Sequence, residues 1–576
     1  MRSSFAFRVR IIAFLIVGVA LILLARLYFI QVIHGDDYRQ KAESQYAKQS
    51  TNQIDRGSIF FTAKDGSLLS AATLGSGYTV VLNPTRITDP EATYLALSAI
   101  LPDIDHDMFI TKAAKAGDTY EEIARKVPDE TGADIQALSL LGVELLRERW
   151  RFYPGNSLAA HAVGFLGYGA DGTTIAGRYG LERFYDEALR KDENGLYVNF
   201  FADLFTNISS QIFSADTPAG ADLVTSIEPS VQLYLENILT EYGKAWHPKT
   251  SGAIIMDPKT GAIIAMASEP SFNLNDFKEV DPEIFADPLV ERVYEFGSIV
   301  KPLTMAAGID AKAVTPHTTY TDKGYAIYDG SRIANFDKQG RGVISMQDVI
   351  NQSLNTGAAF VVEQMGTQTF RDYFEKFGVM EETGIDLPNE VAPLVENLKS
   401  PRTIEYVTAS FGQGIALTPV GMARALGALA NHGIVPGPHV GLELRYGGGI
   451  NKELGWSPER RAITIESTDT ITRMLVEAVD TSLLGGTVKI PEYSVAAKTG
   501  TAQIAREDAR GYYDDRYLHS FFGYFPAYDP QFLIFLYAVE PTGARYASDT
   551  WTHPFMKTVR FLITYYDIPP DRAAPE

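Results

Sequence analysis

The chain has 576 residues, too many for one ordinary hydrophobic core, so two or three domains are expected. Its 51 Lys and Arg stand against 71 Asp and Glu, a formal charge of -20 that makes a nucleic-acid backbone a poor partner. Cysteine is absent, which excludes disulfides, thiolate catalysis and Cys-ligated zinc.

Residues 11 to 25, IIAFLIVGVALILLA, form an uninterrupted apolar run that LYFIQVI extends past Arg26. As a helix, Ile11 to Ile33 would measure about 34 Å, enough to cross a bilayer core of about 30 Å, with Arg26 reaching back to an interface. No small-x-small processing site follows, and no polar face marks a buried core helix. Arg2, Arg8 and Arg10 precede the run with no acid among them. Residues 1–35 are therefore expected to be a cytoplasmic tip and a single transmembrane signal anchor, with everything after Ile33 outside the cytoplasm.

Residues 36–218 read as a mixed α/β segment. It holds a polar helical stretch from Asp37 to Asn52, a strand-like piece at GYTVVLNP, and a charged region around Glu121 to Arg149 that is expected to be helical. Gly167 to Gly172, GYGADG, satisfies G-x-G-x-x-G, but no helix opens after it and no acid follows on a strand, so a turn is expected there. Near SADTPAGADLVTSIEPSVQ a turn-rich stretch gives way to a strand and an amphipathic helix, and residues 219–576 read as a large α/β domain. Its first hairpin is SGAIIMD, a turn at PKTG, then AIIAMAS, which puts Lys259, Thr260 and Gly261 at a hairpin tip. The nine histidines show no ligand spacing, so neither a metal nor any cofactor is expected.

In YEFGSIVKPLTMAAGI, Gly297 ends an extended approach and Ser298 to Lys301 forms the first turn of a helix, with Pro302 early enough to need no amide partner. Residues three apart share a face there, so the Lys301 amine is expected beside the Ser298 hydroxyl. A partly desolvated lysine can take the proton that keeps a serine from being a good nucleophile. Alone, the pattern reads as well as a Ser cap with a surface Lys. Further on, SMQDVINQSLNTGAAFVVEQMG reads as a helix, a break at Ser353, Leu354 and Asn355, and a second helix after Gly357. Ser-x-Asn also occurs at Ser50 and Ser271, so only context promotes Ser353 and Asn355. Last comes VAAKTGTAQIA, a strand of small residues carrying Lys498, Thr499 and Gly500.

The ordered triple Ser298-x-x-Lys301, Ser353-x-Asn355, Lys498-Thr499-Gly500 resembles that of penicillin-binding proteins and serine β-lactamases, and it assigns the chemistry to Lys498 over Lys259. Further segments extend the resemblance along the chain: RGSIF from Arg56, RFYPGNSLAAHAVGFLG, GRYGLERFYDEAL, DPKTGAIIAMASEPSFNLN, SFGQGIALTPVGMARALGALANHG and HSFFGYFPAYDP. Together they resemble a class B penicillin-binding protein, a monofunctional peptidoglycan D,D-transpeptidase. The resemblance implies a transmembrane helix, a mixed α/β pedestal of dimerisation type, and a penicillin-binding transpeptidase domain, like a serine β-lactamase, with an antiparallel sheet and helices. Phe296 and Ala497 depart from the Pro and Gly often found at those positions in the family.

By the same resemblance, Ser298 attacks a stem peptide ending in D-Ala-D-Ala, and Lys301 accepts its proton. The amides of Ser298 and Thr501 form the oxyanion hole. Ser353, Asn355 and Lys498 relay a proton to the leaving D-Ala, while Thr499 and Thr501, with the backbone approach that Gly500 allows, hold the peptide and its carboxylate. An amine of a neighbouring stem completes the cross-link, and β-lactams acylate the same serine. Implied surroundings are the bacterial plasma membrane, a polytopic lipid II glycosyltransferase, and partners of the division or elongation machinery. Two rivals remain at this level: an anchored β-lactamase, and a penicillin-binding sensor or scaffold without cross-linking activity.

Overall fold

A 15-residue strand, Leu68–Leu82, organises the N-terminal part of the protein. The computed structural model describes residues 55–169, 174–191, 220–456, 460–506 and 511–573. The expected anchor at Ile11 to Ile33, the helical stretch from Asp37 to Asn52 and the domain boundary near residue 218 lie outside these residues. Among the described residues no helix is long and apolar enough to cross a membrane.

Leu68–Leu82 pairs antiparallel with Ile59–Thr62 and with two further strands, Glu121–Val127 and Val143–Phe152, the latter in unbroken register from Thr73↔Phe152 to Leu82↔Val143. These last two strands correct the expectation of a helical region from Glu121 to Arg149. Only Asp129–Ala137, between them, is helical. Charge density suggested a helix surface, but alternation decides. Val143 and Leu145 turn toward a small core of Val80, Leu82, Leu97, Phe109, Val127 and Ile135, while Glu144 and Leu146 face solvent. A helical period would scatter those apolar side chains around an axis.

The segments RGSIF, RFYPG and GLERFYDEAL meet in one buried ion cluster. Glu182, fully buried, accepts from Arg56 Nε at 2.7 Å and from Arg151 Nε at 2.6 Å, and Arg56 Nη1 reaches Asp186 at 2.8 Å. Asp186 is shared with Arg190, so three cations meet two anions, and the low-polarity surroundings of Arg56, Arg151 and Glu182 make each of these costly to remove. The expected turn at GYGADG lies partly outside the described residues. What is described, Leu166–Tyr168 paired with Ile175–Gly177, is a short hairpin.

The C-terminal part is built on a five-stranded antiparallel sheet. Its order is Ala496–Ala505, Tyr512–Phe525, Phe532–Val539, Thr250–Met256, Ile263–Glu269. The central strand, FLIFLYAV, is buried over seven of its eight residues, as expected for a strand covered on both faces. One face packs on the helices Pro229–Trp246 and Ala547–Tyr566, where Tyr242 stacks on Trp551 at 3.6 Å. Helices, including Lys301–Asp310 and Ile465–Thr481, cover the other face. The PKTG turn joins Thr250–Met256 to Ile263–Glu269, with Gly261 at φ 86° and Lys259 ion-paired at the surface to Asp529.

The two parts share a sheet. Asp222–Thr225 pairs parallel with Ile59–Thr62 on one side and antiparallel with Gly441–Tyr446 on the other. Asp386, fully buried, reinforces the joint by accepting from Tyr185 Oη at 2.7 Å, Val440 N at 2.7 Å and Gly441 N at 2.6 Å.

Candidate active site

The approach to Ser298 is fixed before the helix begins. Tyr294 pairs its amide and carbonyl with Leu417, and Gly297 N donates to Gly412 O at 3.0 Å. Gly297 has φ +64°, and a Cβ there would sit 2.8 Å from Thr501 O. Glycine is thus required both by conformation and by the close passage of the 496–505 strand. The chain then turns through a 3₁₀ segment, Gly297–Val300, into the helix Lys301–Asp310, with Pro302 in its first turn. Side chains three apart nearly eclipse in such a turn. Lys301 Nζ lies 2.9 Å from Ser298 Oγ.

A second wall comes from the helix Met346–Gln352, opened by a capping box between Ser345 and Asp348. It stops at Ser353, whose backbone is left-handed with φ 57°. The next helix starts at Asn355, two residues earlier than the position of Gly357 suggested. Gly357 lies inside this helix for packing: an added Cβ would fall 2.1 Å from Val349 Cγ2. The left-handed residue turns Ser353 toward Lys301, whose Nζ is 2.5 Å from the Ser353 carbonyl and 3.2 Å from its hydroxyl. One amine therefore bridges both serines.

The third wall is the sheet edge, Ala496–Ala505. Lys498, 6 % exposed, lines the cleft and donates to Thr499 O at 3.0 Å. Thr499 and Thr501 line the cleft as well, and Thr501 Oγ1 accepts from Ala547 N at 3.0 Å. Gly500 contributes backbone: a Cβ there would meet Ser520 Oγ at 2.3 Å, Phe296 O at 2.6 Å and Ile299 Cγ2 at 3.0 Å. Ser520 Oγ also donates to Phe296 O at 2.8 Å, joining the sheet to the turn that carries Ser298. Asn355 lines the same cleft, its amide donating to Ala334 O at 2.9 Å. Of the two departures from the family pattern, Phe296 turns away from the cleft, buried edge-on against Phe535 at 5.2 Å, whereas Ala497 is part of the lining.

Electrostatics distinguishes the two lysines from surface ones. Lys301 is 1 % exposed, and burial together with the nearby Lys498 charge drives its pKa well below that of a free lysine. Burial also lowers Lys498, to about 7. A neutral Lys301 amine beside Ser298 can accept a proton, and a charged Lys498 can face an anion. The cleft these groups line holds about 830 Å³, room for an extended peptide.

Sequence reading missed a buried polar network behind Asn355. Asp322, 2 % exposed, accepts from Gly324 N at 2.9 Å, Arg341 N at 3.0 Å, Thr356 Oγ1 at 2.9 Å and Asn335 Nδ2 at 3.0 Å. Asn335 in turn accepts from Thr356 N at 3.2 Å and lines the cleft. No local pattern announces these residues, because their partners are up to 34 positions away. Glu295 was also missed: it holds Gly414 N at 2.9 Å and Tyr512 Oη at 3.2 Å, and burial raises its pKa to about 7.

Comparison with known proteins follows the same division. Residues 251–559 match the penicillin binding protein transpeptidase domain, and residues 52–225 match the penicillin-binding protein dimerisation domain. The chain is 28% identical over 97% of its length to Stage V sporulation protein D of Bacillus subtilis, covering 85% of that protein. It is 27% identical to peptidoglycan D,D-transpeptidase FtsI of Escherichia coli, over 74% of this chain and 68% of the relative. Among solved structures, penicillin binding protein 2X from Streptococcus thermophilus superposes with a TM-score of 0.71 at 18% identity, covering 90% of this chain and 81% of that one. The aztreonam complex of penicillin binding protein 3 from Mycobacterium tuberculosis gives 0.68 at 21% identity, over 90% and 98% of the respective chains.

Proposed function

Given that this chain belongs to the penicillin-binding proteins, with a transpeptidase domain behind a dimerisation domain, we propose that it is a peptidoglycan D,D-transpeptidase acting through an acyl-enzyme on Ser298. The observation that carries this reading is the buried Lys301 amine, within 3.2 Å of both serine hydroxyls, whose burial and the nearby Lys498 charge lower its pKa and so favour the proton-accepting form. In acylation, Ser298 Oγ forms a bond to the penultimate D-Ala carbonyl of a stem peptide, and Lys301 takes the hydroxyl proton. The carbonyl oxygen takes up negative charge in front of the Ser298 and Thr501 amides. Collapse breaks the bond to the terminal D-Ala, whose nitrogen receives a proton passed from Lys301 through Ser353, with Lys498 and Asn355 lining the path. Thr499 and Thr501 hold the terminal carboxylate. An amine from a neighbouring stem then attacks the ester and restores the serine.

Residues 1–35 serve in this proposal as a membrane anchor with a cytoplasmic N-terminus. The supporting observation is the apolar run behind three arginines. A C-terminal reporter active in the cytoplasm would refute it. The partners proposed with it are a polytopic lipid II glycosyltransferase and components of septal or lateral wall synthesis. The name of the Escherichia coli relative, a peptidoglycan D,D-transpeptidase, supports a wall-building role.

The first experiment is labelling of the protein with a fluorescent penicillin, peptide mapping, and a Ser298→Ala control. A long-lived adduct on Ser298 that vanishes in the control is the expected result. Rapid turnover of a chromogenic cephalosporin would instead make the protein a β-lactamase, and an unlabelled, folded protein would remove Ser298 as nucleophile.

A further inference from the structure

Although the whole chain carries a charge of -20, the cleft is lined by five Lys and Arg residues, Arg332, Lys338, Arg341, Lys498 and Arg545, against one acid, Asp514. Arg341 is neutralised by Asp337 at 2.6 Å. Arg332, Lys338 and Arg545 have no carboxylate within ion-pair distance among the described residues. In a strongly acidic protein, a cleft lined by these three cations and Lys498 against one acid concentrates positive potential where a ligand enters.

The two arginines are also held in place from opposite walls. Arg332 belongs to the strand Ser331–Ala334, whose last carbonyl receives the Asn355 amide, and its guanidinium lies 4.3 Å from the Tyr325 ring centroid. Arg545 precedes the helix Ala547–Tyr566, tied to the sheet edge through Ala547 N and Thr501 Oγ1. His519 Nε2 donates to the Arg545 carbonyl at 3.1 Å, and the Arg545 guanidinium lies 5.5 Å from the Tyr546 ring. Tyr546 in turn meets Phe336 edge-on at 5.7 Å, so the two walls touch beside these cations. Stacking on aromatic faces reduces the freedom a guanidinium loses on binding an anion.

We infer that Arg332 and Arg545, with Lys338, form a subsite for a second carboxylate on the acyl-donor peptide, separate from the terminal carboxylate assigned to Thr499 and Thr501. The inference rests on the proposed transpeptidase reading and adds a substrate requirement to it. A donor lacking that carboxylate would reach Ser298 but lose the contacts that fix its far end.

The test uses the full-length protein in detergent with two pairs of probes. One pair is a D-Ala-D-Ala peptide with a side-chain carboxylate and its amide; the other is a penicillin bearing a side-chain carboxylate and its amide. D-Ala release and Ser298 acylation are measured for the wild type, Arg332→Gln, Arg545→Gln and the double variant. The expected result is a carboxylate preference of about five- to tenfold in kcat/KM or acylation constant, consistent with solvent-accessible charge pairs, falling with added salt and approaching one in the double variant. Equal preference in wild type and double variant, or equal losses for carboxylate and amide probes, would overturn the subsite and leave the arginines serving the terminal carboxylate or the fold. Failure of every probe to acylate wild-type Ser298 would overturn the transpeptidase reading and the subsite with it, which separates the two failures.

Discussion

Gly500→Ala probes the seam between the sheet edge and the nucleophile turn. The added methyl would lie 2.3 Å from Ser520 Oγ, 2.6 Å from Phe296 O and 3.0 Å from Ile299 Cγ2. Ser520 can rotate, but the Phe296 carbonyl is backbone in a segment pinned by Gly412, so the strand and the turn must separate by several tenths of an ångström. Separation moves the Thr501 amide away from Ser298. Loss of one preorganised oxyanion donor costs about 2.7 to 4 kcal/mol, or about 10²- to 10³-fold in rate. The second-order constant for acylation by a fluorescent penicillin should fall by that factor while the thermal midpoint drops only a few degrees. Ser520→Ala in the same background should recover little, because it relieves the side-chain contact and leaves the carbonyl. Acylation within about threefold of wild type would refute the claim that this glycine sets the position of the Thr501 amide.

Three further outcomes follow from buried charge. Lys498 has a folded-state pKa of about 7, below its unfolded value of 10.5, so the unfolded chain binds more protons between those limits and stability rises with pH across that window, by up to about 1.4 kcal/mol per unit. Lys498→Met should therefore be more stable than wild type near pH 7, with the difference shrinking toward pH 10; denaturant titrations at both pH values check this, and a constant difference would contradict it. Glu182→Gln leaves Arg151 without its carboxylate and Arg56 with an Asp186 that Arg190 also engages, and should cost about 3 to 5 kcal/mol in chemical denaturation, with a loss under 1 kcal/mol refuting the role assigned to the cluster. Asp322→Asn cannot accept the four donors that Asp322 serves and should lose about 1 to 3 kcal/mol of stability. Slower acylation should accompany that loss, and wild-type acylation kinetics would separate the network from the Ser353 and Asn355 turn.

What the sequence made legible was local. Ser298 and Lys301 are joined by one turn, so their spacing alone predicts contact, and the PKTG hairpin is written in two apolar runs flanking a Pro and a Gly. The strands Glu121–Val127 and Val143–Phe152 were hidden because their charged residues imitate a helix surface, and their partner strand lies as many as 79 residues earlier, at Thr73↔Phe152. Gly357 misled for a related reason: it serves Val349 in a neighbouring helix, a packing relation invisible at its own position. Asp322, Asn335 and Arg545 carry no spacing signal. Each acquires meaning only when distant segments converge on the cleft.

The strand Gly441–Tyr446 has a mechanical consequence. Because it continues the N-terminal sheet through Asp222–Thr225, hydrogen bonds run in series from Glu121–Val127 to a hairpin rooted in the catalytic part. A tug delivered to the far strands loads this ladder in place of a hinge, and Asp386 stiffens the last rung. Turning the N-terminal sheet therefore carries the cleft with it, because the shared strands leave no break between the two parts.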